Sequence, residues 1–202
     1  MANARRLGFR PIKVSNGGTV TYDKVRVLTN NTLAIGYRDA IKYVATGDVV
    51  AAAAGADELI LQGGVAMGAI YTDATNVRRE SKALPAATLY TSTGAEPENA
   101  SFVYVVQDCV GVEFEQNVAN SAIALTDLNL NYPVVLTTIN TTTLLSRHEL
   151  NATGRAVTAT IPWRVTGFVR RADNDISLVD CNVICKLNAG QREPALSIAL
   201  GT

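Results

Sequence analysis

The chain has 202 residues, 48% of them apolar and 18% charged, with Lys plus Arg balancing Asp plus Glu at a net charge of zero. That length suits one domain or two small ones with a real hydrophobic core, and the balance argues against wholesale disorder and against a nucleic-acid binder, which needs a basic excess. No segment approaches the ~20 apolar residues of a membrane helix, and no apolar run of signal-peptide length follows the early arginines.

Residues 1–18 read as an extended N-terminal arm. Arg5, Arg6, Arg10 and Lys13 are its charges, with no acid among the first thirteen residues, and the stretch closes on Asn16-Gly17-Gly18. Residues 19–202 read as a single β-rich domain. Thr19 to Leu28 is strand-like. Tyr37 to Ala54 is apolar with a turn at Thr46-Gly47-Asp48, and its alanine run Ala51–Ala54 suits either a helix or a strand of small side chains. Leu59-Ile60-Leu61 and Val65 to Tyr71 are short apolar runs broken by Gly63-Gly64. Asn76 to Lys82 and Thr91 to Asn99 read as polar loops. Phe102 to Val106 and Val110 to Gln116 are strands, Asn117 to Tyr132 is a short helix near Ala119–Leu125 or an irregular connection, and Thr137 to Thr143 favours β structure.

The clearest signal is late. Val157, Ala159, Ile161, Trp163, Val165 and Val169 alternate with polar residues, and Val179, Cys181, Val183, Cys185 and Leu187 repeat the pattern after Arg171-Ala172-Asp173-Asn174-Asp175. Two period-two runs around a polar loop predict a C-terminal β-hairpin with Trp163 and both cysteines on its inner face. Three cysteines make an odd number, and Cys181 and Cys185 on a strand stand roughly 13 Å apart, too far for an unstrained bridge. They read as reduced core thiols. No amphipathic helix of useful length is visible, so the fold class is mainly β, a small β-barrel or β-sandwich domain.

Chemistry-bearing motifs are sparse. His148 is the one histidine, and "LSRHELN" lacks the second histidine of a zinc-protease helix. A catalytic zinc needs three protein ligands, so no metal site is expected. No Walker loop, dinucleotide fingerprint or G-x-S-x-G elbow points to a cofactor or a triad. Glu113 and Glu115 in "FVYVVQDCVGVEFEQN", with Asp108 just upstream, are the remaining candidates for acid–base work. On a strand their Cα atoms lie roughly 7 Å apart on one face, a spacing glycosidase carboxylates also use. Val110, Val112 and Phe114 hold the opposite phase, and the aromatic platforms a sugar needs are few. The simpler account is one buried apolar face with two glutamates facing water or a partner.

The order of several stretches resembles the cement, or decoration, proteins of tailed-bacteriophage capsids. They are the arm "RRLGFRPIK", then "KYVATGDVV", "GGVAMGAIY", "ALPAATL", "VEFEQN", "SRHELN" and "VTGFVRRADND". Gln116 follows Glu115 directly, where the family has an intervening residue, which leaves its inward or outward orientation open. Residues 117–150 match little. The resemblance implies a structural, non-enzymatic virion protein without cofactor or metal. It would sit on the outer surface of an icosahedral head, assembled in the bacterial cytoplasm, and staple neighbouring major capsid protein subunits. A homotrimer is implied, with a dimer as the alternative, and no nucleic-acid or membrane partner. In that setting Arg5, Arg6, Phe9, Arg10 and Lys13 are the expected capsid contacts, and Glu113 and Glu115 the expected subunit contacts. Another virion β-module, such as a head-fibre base or a glycan-binding domain, is the second reading, and an enzyme acting through the two glutamates the third.

Overall fold

The computed structural model describes residues 8–28, 31–44, 46–55, 64–86, 90–91, 100–106, 109 and 111–188. The protein is mainly β. Its strands are β1 (Arg10–Val14), β2 (Tyr22–Arg26), β3 (Ile41–Tyr43), β4 (Val49–Ala51), β5 (Ala66–Asp73), β6 (Arg78–Ser81), β7 (Tyr90–Thr91), β8 (Phe102–Val106), β9 (Val112–Ala119), β10 (Asn131–Tyr132), β11 (Val134–Val135), β12 (Glu149–Asn151), β13 (Trp163–Phe168) and β14 (Asn182–Leu187).

The larger sheet runs β10-β13-β14-β9-β12-β11, with β1 added to β9. Its two terminal strands are consecutive in the chain, separated by Pro133 alone. The sheet therefore curls until its ends meet, nearly closing a barrel. A proline fits the seam because it has no N–H to offer a ladder, and its carbonyl accepts the Asn151 N–H at 2.8 Å. β1 and β12 lie end to end along one side of β9: β1 opposes Val112 to Glu115, and β12 opposes Val118 and Ala119.

Inside the barrel Val112, Phe114 and Val118 of β9 pack with Val183, Cys185 and Leu187 of β14 and Trp163 and Val165 of β13. The hairpin expected late in the sequence is present, and Trp163, Cys181 and Cys185 are buried in it. Burial pushes the Cys185 thiol well up and the Cys181 thiol up to about 11. The hairpin is shorter than its alternation suggests. Residues 157–162 are turns, and Val157 is 83% exposed because no strand lies beside it. The loop is longer, spanning residues 169–181, and it folds back over the sheet.

A second sheet, β2-β8-β5-β6 with β7 on β5, packs with the β3–β4 hairpin around Ile35, Ile41, Val49, Leu84, Val103 and Val105. Within the expected loop at residues 76–82, Arg78–Ser81 form the strand β6. Asp73 caps the turn by accepting from Thr75 and Val77 backbone N–H groups, and Arg78 to Ser81 then pair with β5. Ala51 ends β4 and Ala52–Ala54 leave it without a helix; Leu125–Asp127 form a single 3₁₀ turn, and the threonine-rich 137–143 segment forms no strand. Leu59-Ile60-Leu61 and most of the Thr91–Asn99 loop lie outside the described residues.

The main correction concerns the arm. Phe9 is fully buried, its ring stacked on Trp163 with centroids 4.0 Å apart and set edge-on to Phe114 at 6.3 Å. Residues 10–14 are a strand of the barrel, so the segment from Gly8 to Val14 belongs to the fold and not to the expected extended arm. Gly8 makes the insertion possible. It holds φ +62°, and a Cβ there would strike Ser146 Cβ and stand 2.8 Å from the Arg38 carbonyl oxygen, a conformation and an approach that suit glycine. The Phe9 N–H then donates to that same carbonyl at 3.0 Å.

Phe9→Ala removes a fully buried ring from a three-ring cluster and is expected to cost about 3–5 kcal/mol. Urea unfolding of the two proteins checks this, and a loss under about 1 kcal/mol would mean the site collapses or Phe9 is not buried.

Candidate functional site

The sequence candidates converge on the outer face of β1, β9 and β14. Arg10 opposes Glu115 and Lys13 opposes Glu113 across the β1–β9 ladder. Phe114 points into the core, so Glu113 and Glu115 turn outward together. Their environments then diverge. Glu113 is half-buried, whereas Glu115 is buried.

Glu115 is buried by its own chain. Arg171, from the 169–181 connection, brings Nη1 to 2.8 Å of Glu115 Oε1, and Arg10 brings Nη1 to 3.4 Å of Oε2. Arg171 Nε also lies 3.4 Å from Asp173 Oδ1. The connection is pinned over the sheet by Asn174, which donates to the Val169 and Asn182 carbonyls and accepts the Asn182 N–H. The expectation that Glu115 faces water or a neighbouring chain is thus corrected: its arginine partners come from the same chain. Phe9 is likewise a core residue and not a free contact. Lys13 is exposed and Arg10 half-exposed. Arg5, Arg6 and Asp108 lie outside the described residues. A carboxylate engaged by two arginines of its own chain is committed to ion pairing and is not free to meet a substrate. The chemistry of this cluster is bracing.

Gln116 turns inward. It is fully buried, its Nε2 donates to the His148 carbonyl at 3.0 Å, and its Oε1 accepts the Asn117 N–H. His148 sits at the centre of a buried polar network that sequence reasoning did not find. The Ala40 N–H donates to His148 Nδ1 at 3.1 Å, which assigns the ring proton to Nε2. Nε2 lies 3.6 Å from Asp39 Oδ1, and Asp39 Oδ2 accepts the Gly36 N–H. The only sequence signal was a single histidine, and nothing in the spacing connects it with an aspartate more than a hundred residues upstream.

An apolar pocket of about 510 Å³ is lined by both members of this pair together with Leu33, Ala51, Ala52, Leu136, Ile139 and several threonines. A histidine next to an aspartate at a pocket raises the question of acid–base catalysis. Nδ1 is committed to a backbone N–H, and Nε2 faces Asp39 and the backbone of Thr137. Both nitrogens are thus engaged within the fold, and among the described residues neither bonds a hydroxyl, as a base that activates a nucleophile must. The pair ties the 36–40 segment, and through Ala40 and Val65 the second sheet, to the barrel. Among the described residues no group of three His, Cys, Asp or Glu side chains is arranged to hold a metal ion.

Comparison with protein-family models, with curated proteins and with solved structures finds no match.

Burial holds His148 below its ordinary pKa of 6.5, against the opposing pull of Asp39 and Thr137. The unfolded chain takes up this proton near pH 6.5 and the folded chain only at lower pH. The stabilisation is therefore complete above about pH 6.5 and is lost as pH falls through the lowered folded value. With one histidine in the sequence, a single imidazole Hε1 resonance reports it. It is expected to keep its neutral shift as pH falls past 6.5 and to move only at lower pH. A reversible midpoint near 6.5 in the folded protein would contradict the buried assignment.

Proposed function

We propose that the protein is a capsid cement protein of a tailed bacteriophage. It is a structural, non-enzymatic module on the outer surface of an icosahedral head that staples neighbouring major capsid protein subunits, itself a homotrimer, with a dimer as the alternative. The observation that carries the reading is where the resembling stretches fall. "GGVAMGAIY" runs into β5, "VEFEQN" is the first part of β9, "SRHELN" leads into β12, and "VTGFVRRADND" is the end of β13 with the start of its covering loop. Four of the seven stretches thus coincide in part or in whole with strands of the β-fold, which is the arrangement the resemblance implies. The ionisable side chains add support: those most deeply buried brace the fold, leaving the surface for docking.

Phe9 gives the N-terminal arginines a fixed origin. Arg5 and Arg6 lie immediately upstream of a residue locked in the core, and planar guanidinium groups suit the carboxylates of a partner surface. The folded shell, binding many copies, is in turn stabilised by mass action.

Two truncations test this by cosedimentation with undecorated heads. Removing residues 1–7 keeps Gly8 and Phe9 and is expected to leave the melting temperature nearly unchanged while weakening head binding by roughly tenfold or more. Removing residues 1–13 takes the Phe9 ring and most of β1 and is expected to unfold the barrel. Normal decoration by the shorter truncation would remove Arg5 and Arg6 from the contact. Failure of the full-length protein to cosediment at any concentration would end the cement reading.

A further inference from the structure

The outer face of the barrel carries charge that the fold does not neutralise. Lys13 opposes Glu113, and Arg164 opposes Lys186. Phe114 opposes Cys185 in the core, so the preceding residue on β9 and the following one on β14, Glu113 and Lys186, turn outward side by side. One row across four strands therefore reads Lys13, Glu113, Lys186, Arg164: three cations and a single carboxylate. Next to it lie Arg10 and Arg171, which share Glu115, and Asp173. The face holds more positive than negative side chains on a chain whose net charge is zero.

The row is also electrostatically incomplete. Like charges directly across a strand pair are destabilising, and Arg164 and Lys186 are such a pair. Arg10, Arg26, Arg79, Arg155 and Arg171 each have a carboxylate within 3.4 Å. Among the described residues none is in ion-pair range of Lys13, Lys186 or Arg164, whose polar contact is Asn129 Oδ1 at 3.4 Å. Lys13 and Arg164 are exposed.

We infer that this face docks on a carboxylate-rich protein surface, whose acids occupy the open places in the row. The inference rests on the cement reading, in which that surface belongs to the shell. A protein partner fits better than a polyphosphate because Glu113 stands inside the row and would repel a continuous run of phosphates, whereas a protein surface can set an acid opposite each cation and a donor opposite Glu113. The strands fix the backbone positions of these residues, so docking costs the ordering of side chains and not of chain. Arginine and lysine on such a face raise the association rate and make binding sensitive to salt.

The test compares the full-length protein with a Lys13→Gln/Arg164→Gln/Lys186→Gln variant, both checked for equal melting temperature. On undecorated heads, wild-type affinity is expected to fall about tenfold between about 50 and 300 mM NaCl, and the variant to bind about tenfold more weakly at low salt with a flatter salt dependence. A variant that binds heads like wild type, with the same salt dependence, overturns the docking face and leaves the cement reading standing. If wild type does not bind heads, the cement reading fails, and poly-L-glutamate is the second probe. Wild-type binding to it, lost in the variant, still supports a carboxylate-reading face. No binding to it, or tighter binding to a DNA duplex of equal charge, overturns the proposal.

Discussion

The barrel depends on one aromatic side chain arriving from outside its sequence neighbourhood. Phe9 stacks on Trp163 of β13 and meets Phe114 of β9 edge-on, while Phe114 and Trp163 meet edge-on at 5.5 Å. Three rings from three distant parts of the chain thereby fill the space under β9, the strand that β1, β12 and β14 all join. Such clusters bury large apolar areas and add a geometric preference of their own. Gly8 is the condition for it, since only a residue without a side chain passes between Ser146 and the Arg38 carbonyl. Once Phe9 is seated, β1 is set in register. Arg10 then falls opposite Glu115 and Lys13 opposite Glu113, so the order of charges outside follows from the ring buried inside.

A second constraint links the two sheets. Gln116 reaches from β9 to the His148 carbonyl, and His148 reaches from its ring to the Ala40 N–H and toward Asp39. Burying so many polar groups is tolerable because their principal donors and acceptors find partners. The network holds the 36–40 segment, whose Arg38 carbonyl receives the Phe9 N–H. The aromatic cluster and the polar network thus share a wall, and loosening one exposes the other.

Much of the scaffold was legible as periodicity. β5, β8, β9, β13 and β14 each follow apolar residues in period two or a short apolar run, because a sheet with one face in a core needs that pattern. Trp163, Cys181 and Cys185 were correctly placed inside. What failed depends on partners distant in sequence. Residues 157–161 alternate as cleanly as any strand but have no ladder partner, so they turn. Arg78 to Ser81 look like a loop because an exposed edge strand needs no apolar face. Phe9 looks like part of an arm because one aromatic among arginines and a proline has no period, and its pocket is assembled from residues more than a hundred positions away. The phase of Glu115 was right, but its burial comes from Arg171 and the Asn174-pinned connection, which local pattern does not report. His148 could be counted but not paired.

The chain from Gly8 to Val14 is part of the barrel and not a tether. Native-state amide hydrogen exchange measures this directly, residue by residue. The Phe9 amide, bonded to Arg38, is expected to exchange with a protection close to that of central β9 and β14 amides, since releasing it requires opening the aromatic core. Exchange of Phe9 orders of magnitude faster than β9, at the rate of a free peptide, would contradict it and restore the segment to an arm.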